Sequence, residues 1–364
     1  MRPIRLLLIA PSPEIVGGQS VQATALMKQL VNERGIHLVF LPIDVPQLRF
    51  IRRLKYIRTL ANFAAYNAIL ISRLVRADIV HVFTASYYSY LLWTVPAILL
   101  AKVRGAKVIV NYHDGQAEDH LRRSRIARRT LRMADAVVAP SDFLVDVFQK
   151  FGLKAQSINN IIDVSRFRFR RRTPLRPVFM TNRGLEPLYN VGCVIRAFGI
   201  IQRQYPDASL TVAHDGPCRR ELEELVKALQ LDRVMFVGKV PQSQIAQLYD
   251  DADIFLTSPN IDNMPLSLLE CFASGLPLVA TRVGGIPYIV TSGETGLLVE
   301  CDDHEAMAAE AMRLLNDSEL ADLLVENARL QCRNYSWAVI RNKWVGLYSE
   351  LTGIGLGAET QITY

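Results

Sequence analysis

The chain has 364 residues, half of them hydrophobic, and carries a net charge of +7. That length exceeds what one ordinary core organises and suits two domains, and the lack of a long polar or low-complexity tract argues against extended disorder. No apolar run reaches the ~20 residues of a membrane-spanning helix; the nearest, LLWTVPAILLAKV, is shorter and carries a proline.

The opening RPIRLLLIAPSPE has no small-x-small cleavage pattern and reads as a first buried strand, not as a signal peptide. It runs into APSPEIVGGQSVQATAL, where Gly17 and Gly18 mark a strand-to-helix turn and Gln19 or Ser20 is expected to cap the helix. Paired glycines let a ligand approach the backbone, and the helix N-terminus offers unpaired N–H groups to a phosphate. A tight turn without a ligand is the alternative. The G-x-G-x-x-G and Walker A patterns are absent, which argues against NAD and P-loop chemistry. GQSVQATALMKQLVNERG has apolar positions at helical spacing, with Gly35 just past its end. Further strands are expected at GIHLVFLPI, ADIVHVF, AKVIVNYH, ADAVVAPS and KAQSIN.

A second series follows the Pro/Arg-rich RRRTPLRP: PVFMTN, ASLTVAHDG, RVMFVGKV, ADIFLTSP, LPLVATR and GLLVE. Strands alternating with helical segments predict βαβ units and parallel sheets, hence two doubly wound α/β domains with the change near residues 165–178. The expected limits are 1–170, 171–338, a helix over 339–352 that folds back toward the first domain, and a loose tail at 353–364. Ligands of such sheets sit outside the carboxyl ends of the strands, here in a cleft between the domains.

Within SPNIDNMPLSLLECFASGLPLVAT, Asp262 and Glu270 stand eight residues apart. PLSLLECFASG reads as a helix with Pro265 at its first turn and Gly275 closing it. Asp262 then falls in the loop before the helix and Glu270 inside it. A carboxylate in so apolar a run is expensive to bury unpaired, so it is expected to accept hydrogen bonds, for which ribose hydroxyls would serve.

Charge is distributed unevenly. Residues 1–177 hold 28 basic and 11 acidic side chains, and residues 178–364 hold 14 and 24. LRFIRRLKYIRTLANFAAYNAILISRLVR reads either as an amphipathic helix for anionic lipid, each basic residue contributing ~1 kcal/mol, or as a solvated helix beside a basic linker. Nucleic acid is not expected, because the basic clusters lack interleaved aromatic platforms. The five scattered cysteines suit free thiols in a reducing cytoplasm. The six histidines form no metal-ligand spacing and no D-x-D follows a strand, so neither metal nor cofactor is expected.

The acid pair followed by ASGLPLVATRVGGIPYIVTSGETGLLVE resembles the group 1 (family 4) retaining glycosyltransferases, over nearly the whole chain. That resemblance implies the GT-B fold, two Rossmann-like domains with a nucleotide-sugar cleft, and a metal-independent hexosyltransferase. It implies a UDP- or GDP-sugar donor and a hydroxyl acceptor facing the N-terminal domain; the basic charge of that half adds the expectations of a lipid-linked or cell-envelope acceptor and of a peripheral position on the inner membrane face.

By the same resemblance Gly17 and Gly18 lie beside the donor diphosphate and His113 beside the donor sugar. Arg183 clamps the diphosphate, Glu270 binds the ribose, and Asp262, where the family usually has Glu, lies near the sugar hydroxyls. The amides of Asn263, Met264 and Leu266 contact the donor sugar, and Gly284 and Gly285 let the chain pass close to ligand. Pro265 takes a usual glycine position, and Leu188 stands where the family has a lysine, with Tyr189 beside it as a substitute contact. Those two departures keep a second expectation open: a weak or inactive GT-B protein that binds nucleotide sugar or glycan.

Overall fold

The computed structural model describes residues 2–15, 17–44 and 55–356. Most of the basic run 49–58 and residues 357–364 of the tail lie outside them. The chain forms two compact units, Met1–Ile161 with Trp337–Tyr364, and Ile162–Ser336.

The first unit is built on strands β1 (Ile4–Ala10), β2 (Ile36–Pro42), β3 (Ile79–Thr84), β4 (Lys107–Tyr112), β5 (Ala136–Ala139) and β6 (Gln156–Ser157). They pair in parallel in the order β2-β1-β3-β4-β5-β6. Helices cover both faces, so β3 is buried along its whole length, as a parallel sheet requires. One face packs Val80, Val82 and Val110 on Tyr66, Leu70 and Ile98. The other packs Leu6, Leu8 and Phe83 on Ile340, Trp344 and Tyr348 of the C-terminal helix Trp337–Thr352. Arg341 of that helix chelates Glu33, at 2.7 Å through Nε.

The second unit holds β7 (Val178–Asn182), β8 (Ser209–Ala213), β9 (Val234–Gly238), β10 (Ile254–Thr257), β11 (Leu278–Thr281) and β12 (Leu297–Val299). All are parallel, ordered β12-β11-β10-β7-β8-β9. Each unit is therefore a doubly wound, Rossmann-like α/β domain, and every strand expected from the sequence is present.

The division between the units differs from the expected one, because the arginine-rich segment belongs to the second unit. Arg172 is buried and donates to the carbonyls of Arg170, Tyr249, Ala252, Ser274 and Gly275. Arg170 and Arg176 both bind the buried Asp253 at 2.9 Å. A buried guanidinium with five donors holds chain ends together only where carbonyls converge on it, and those carbonyls all lie in the second unit. Burial lowers the Arg172 pKa to about 10, so it stays charged at neutral pH.

Candidate active site

In the second unit the strand order reverses between β7 and β10, the place where open α/β sheets bind ligands. Arg183 follows β7, and Asp262 lies on the loop that leaves β10 and enters helix Leu266–Ser274. Arg183 Nη2 donates to Asp262 Oδ2. The guanidinium carbon stands 4.2 Å from the centre of the Tyr189 ring. The two paired side chains are only 12% and 13% exposed. Burial raises the Asp262 carboxyl above its ordinary range, against the Arg183 charge and the Asn263 amide, which lower it. Arg183 Nε is buried without a hydrogen-bond partner, so the guanidinium keeps a donor for an incoming group.

The loop itself is held by glycine. A Cβ at Gly284, where φ is +51°, would lie 2.0 Å from the Asp262 carbonyl oxygen, and one at Gly285 would lie 1.8 Å from that of Asn263. Gly285 N donates to Asp262 O at 3.0 Å. The glycine turn expected to admit a ligand thus admits the acid loop. Asn263 N already donates to Asp262 Oδ1 at 2.8 Å, and Met264 is buried in the core beneath. Pro265 is the residue before the helix, whose first residue is Leu266, and Gly275 closes it in the left-handed conformation. Leu188 contributes its carbonyl, which accepts from Asn260 N at 2.8 Å.

Glu270 sits in the second turn of that helix and is 7% exposed. Burial raises its pKa, and a hydrogen bond from Tyr249 and the charges of Arg166 and Arg183 oppose the shift. The Tyr249 hydroxyl also accepts from Asn182 Nδ2 at 3.3 Å, and burial pushes it well above its ordinary pKa. Sequence reading missed Tyr249 and Asn182. Tyr249 sits on helix Ile245–Asp251, and nothing local to it signals that the fold carries it to Glu270.

The first unit gathers its residues at the same edge of its own sheet. Gly17 precedes helix Gly18–Val31 as its cap, with extended backbone and no side-chain capping bond. Neither expected capping residue acts as one: Ser20 is buried in the helix and donates to Ser12 O at 2.6 Å. A Cβ on Gly17 or Gly18 would meet no atom within 4 Å. His113 follows β4, donates its backbone N–H to Thr84 O, and stacks on Phe83 with ring centres 4.9 Å apart. Burial lowers its pKa to about 3, so the imidazole is neutral, and its buried Nε2 has no partner. His113, Asn111 and Trp344 line a cavity of about 10 Å³, near the size of one water.

Two family models match the sequence, Glycosyl transferases group 1 over residues 166–331 and Glycosyltransferase Family 4 over residues 16–166. N-acetyl-alpha-D-glucosaminyl L-malate synthase of Bacillus anthracis is 28% identical over 346 residues, covering 86% of this chain and 88% of the relative. D-inositol 3-phosphate glycosyltransferase of Corynebacterium efficiens is 37% identical over 175 residues, 46% of this chain and 41% of that protein. The solved structure of Anabaena HepE with UDP and glucose superposes with a TM-score of 0.74 at 17% identity, covering 95% of this chain and 99% of HepE. Fold and site together define a GT-B protein built from two Rossmann-like domains. The chain belongs to the group 1 glycosyltransferases.

Proposed function

We propose that the protein is a retaining hexosyltransferase that takes its sugar from a UDP- or GDP-sugar, without a metal ion, and passes it to a hydroxyl acceptor. The observation that carries this reading is the convergence of Arg183, Asp262 and Glu270 on the strand-order reversal of one sheet. Arg183 has a spare buried donor for a diphosphate oxygen, and a guanidinium offers such a group a rigid fork of donors. Departure of the nucleoside diphosphate builds negative charge that fixed donors stabilise. The acceptor hydroxyl then attacks the sugar from the face the diphosphate leaves and passes its proton to a departing diphosphate oxygen, which retains configuration. Neutral His113 orients the sugar by hydrogen bonding. Glu270 and Tyr249 present oxygens to the ribose hydroxyls. The complexes of HepE with UDP and with UDP-glucose favour uridine as the base.

The experiment is a thermal-shift screen of UDP- and GDP-sugars, followed by transfer assays in EDTA with the product anomer read by NMR. A donor that raises Tm and a product of retained configuration are expected; inversion, or dependence on added metal, sinks the respective part. One observation favours a second reading, a binding protein without turnover. Arg183 is committed to Asp262, and Leu188 supplies no second cation. Donor binding without product in that assay selects it.

We also propose that the enzyme works at an anionic membrane face in the cytoplasm on a lipid-linked or envelope acceptor. On helix Lys55–Leu74 and just beyond it, Leu60, Ala64, Ala68, Ile71 and Val75 are exposed at helical spacing beside Arg73 and Arg76. An apolar stripe flanked by cations suits an interfacial helix. Vesicle flotation is expected to require anionic lipid and to weaken with salt; flotation with neither property removes the idea.

A further inference from the structure

We propose that one buried water occupies the small cavity shared by Asn111 and His113, bridges the Asn111 amide to His113 Nε2, and so fixes which edge of the imidazole is offered to a ligand. On the transferase reading, on which its part in catalysis rests, Asn111 is then a positioning residue for His113. The water site itself stands independently of that reading.

His81 and Phe83 of β3 and Asn111 of β4 lie on one face of the first sheet, with Phe83 paired in register with Asn111. His113 continues that face two residues further on. Trp344 and Tyr348 of the C-terminal helix pack against the same face. The rings of His81, Phe83 and His113 form one stack, with successive centres 5.2 Å and 4.9 Å apart and planes 15° and 20° from parallel. Such a stack fixes the plane of the imidazole but not its edge. A half-turn about the Cβ–Cγ bond keeps the plane and puts Cε1 where Nε2 stands and Cδ2 where Nδ1 stands. That torsion is broad and roughly two-fold, so the edge is selected by what the ring meets in its own plane.

The cavity of about 10 Å³ has room for one water and nothing larger. Leu26, Phe83, Ile158, Ile161 and Trp344 give it apolar walls. Gln22 also lines it but spends its amide on Ile161, whose carbonyl and N–H it binds at 2.8 Å each. Asn111 Oδ1 and His113 Nε2, on two further lining residues, are both buried and both without a partner. Asn111 is 2% exposed, and its Nδ2 lies 3.2 Å from His81 Nε2, so the amide is held from behind. Leaving two such atoms unpaired is costly. Water both donates and accepts, so it satisfies the pair whichever nitrogen of His113 carries the proton. The half-turned ring would set a C–H against that water. With Nε2 engaged, Nδ1 is the nitrogen that this half-buried residue keeps for a ligand oxygen.

A crystal structure of the full chain at a resolution that shows ordered water, with long-range 1H–15N spectra of the His113 ring, tests this in wild type, Asn111→Leu and His81→Phe. Density for one water within hydrogen-bonding distance of both atoms is expected in wild type. An empty cavity, or a water that touches only one of the two, overturns the proposal, and this holds even where a variant does not fold. Asn111→Leu removes the amide at similar volume, so the His113 15N shifts are expected to move. They are expected to hold in His81→Phe, which takes away the other partner of the amide and keeps a ring in the stack. Shifts that move alike in both variants, or in neither, overturn the proposal, because the stack alone would then hold the imidazole. With the donor found by thermal shift, kcat in Asn111→Leu is expected to fall about tenfold, the worth of one hydrogen bond. The Kd for UDP, which lacks the transferred sugar, is expected to stay as in wild type. A UDP Kd that weakens in step with kcat makes the loss structural and overturns the positioning role. Unchanged kcat beside shifted resonances supports the water site and overturns the part of His113 in transfer.

Discussion

The two sheets carry their candidate residues at equivalent edges, yet the two edges are built differently. In the second unit the loop of Asp262 is clamped from every side, by Arg183, by Gly285 N and by glycines that leave no room for a Cβ. In the first unit a Cβ on Gly17 or Gly18 would meet no atom within 4 Å, and His113 and His120 each keep a buried Nε2 without a partner. One edge is preorganised by its own charges; the other is left open. Preorganised charge is fixed before any ligand arrives, whereas an open glycine turn leaves room for a close approach to the backbone.

The largest effect expected from breaking this contrast is that of Glu270→Ala. Losing an acceptor of two charge-assisted hydrogen bonds, each ~1.5–3 kcal/mol, lowers kcat/KM for transfer by about a hundredfold or more. Removing a buried carboxylate whose pKa burial has raised leaves Tm unchanged or higher. Undiminished transfer in this variant denies Glu270 a role in the reaction, and a large fall in Tm makes it structural.

Arg172→Met tests the anchor behind that helix. Five carbonyls lose their donor, so unfolding by urea is expected to show a loss of roughly 3–5 kcal/mol, with transfer falling because Ser274 and Tyr249 are no longer tied together. Stability within 1 kcal/mol of wild type would mean that solvent replaces the arginine.

A pair of glycine variants sharpens the comparison most directly. Gly285→Ala drives a methyl into the Asn263 carbonyl and is expected to destabilise by about 2 kcal/mol or more. Gly17→Ala places the same methyl in open space on extended backbone and is expected to change stability by less than about 0.5 kcal/mol, while raising the KM for donor. If the two variants melt alike, the contrast between a packed and an open edge is wrong.

The last test concerns pH. The folded pKa of His81 is depressed from 6.5 to about 3, chiefly by burial. A depressed folded pKa means that the unfolded chain binds the extra proton first, so this stability is present above pH 6.5 and is lost as pH falls toward 3. His81 is held by Tyr348 at 2.9 Å and by Asn111 at 3.2 Å. In His81→Asn the urea midpoint is expected to fall less steeply over that window than in wild type; parallel pH profiles would show that the imidazole titrates freely.

The alternation of β-branched runs with helical segments placed all twelve strands, because burial of a parallel sheet on both faces requires continuous apolar stretches that any reader of the sequence sees. Family membership was legible too, in the acid pair and the glycines downstream of it. The domain division was not, since Arg170, Arg172 and Arg176 read only as a Pro/Arg-rich stretch between two strand series until the carbonyls and Asp253 that surround them come into view. Nor was the use of Gly284 and Gly285, which depends on how close another stretch of backbone passes. Tyr249 was invisible for the same reason, twenty-one residues before Glu270 on a different helix. By itself the sequence determined which runs form the buried strands, in what alternation with helices, and that one carboxylate precedes the helix and another lies within it, for these follow from hydrophobicity and local propensity. Only the tertiary structure decided what each charge faces. A guanidinium or a carboxylate takes its strength and its protonation from neighbours distant in the chain, and those neighbours are set by packing.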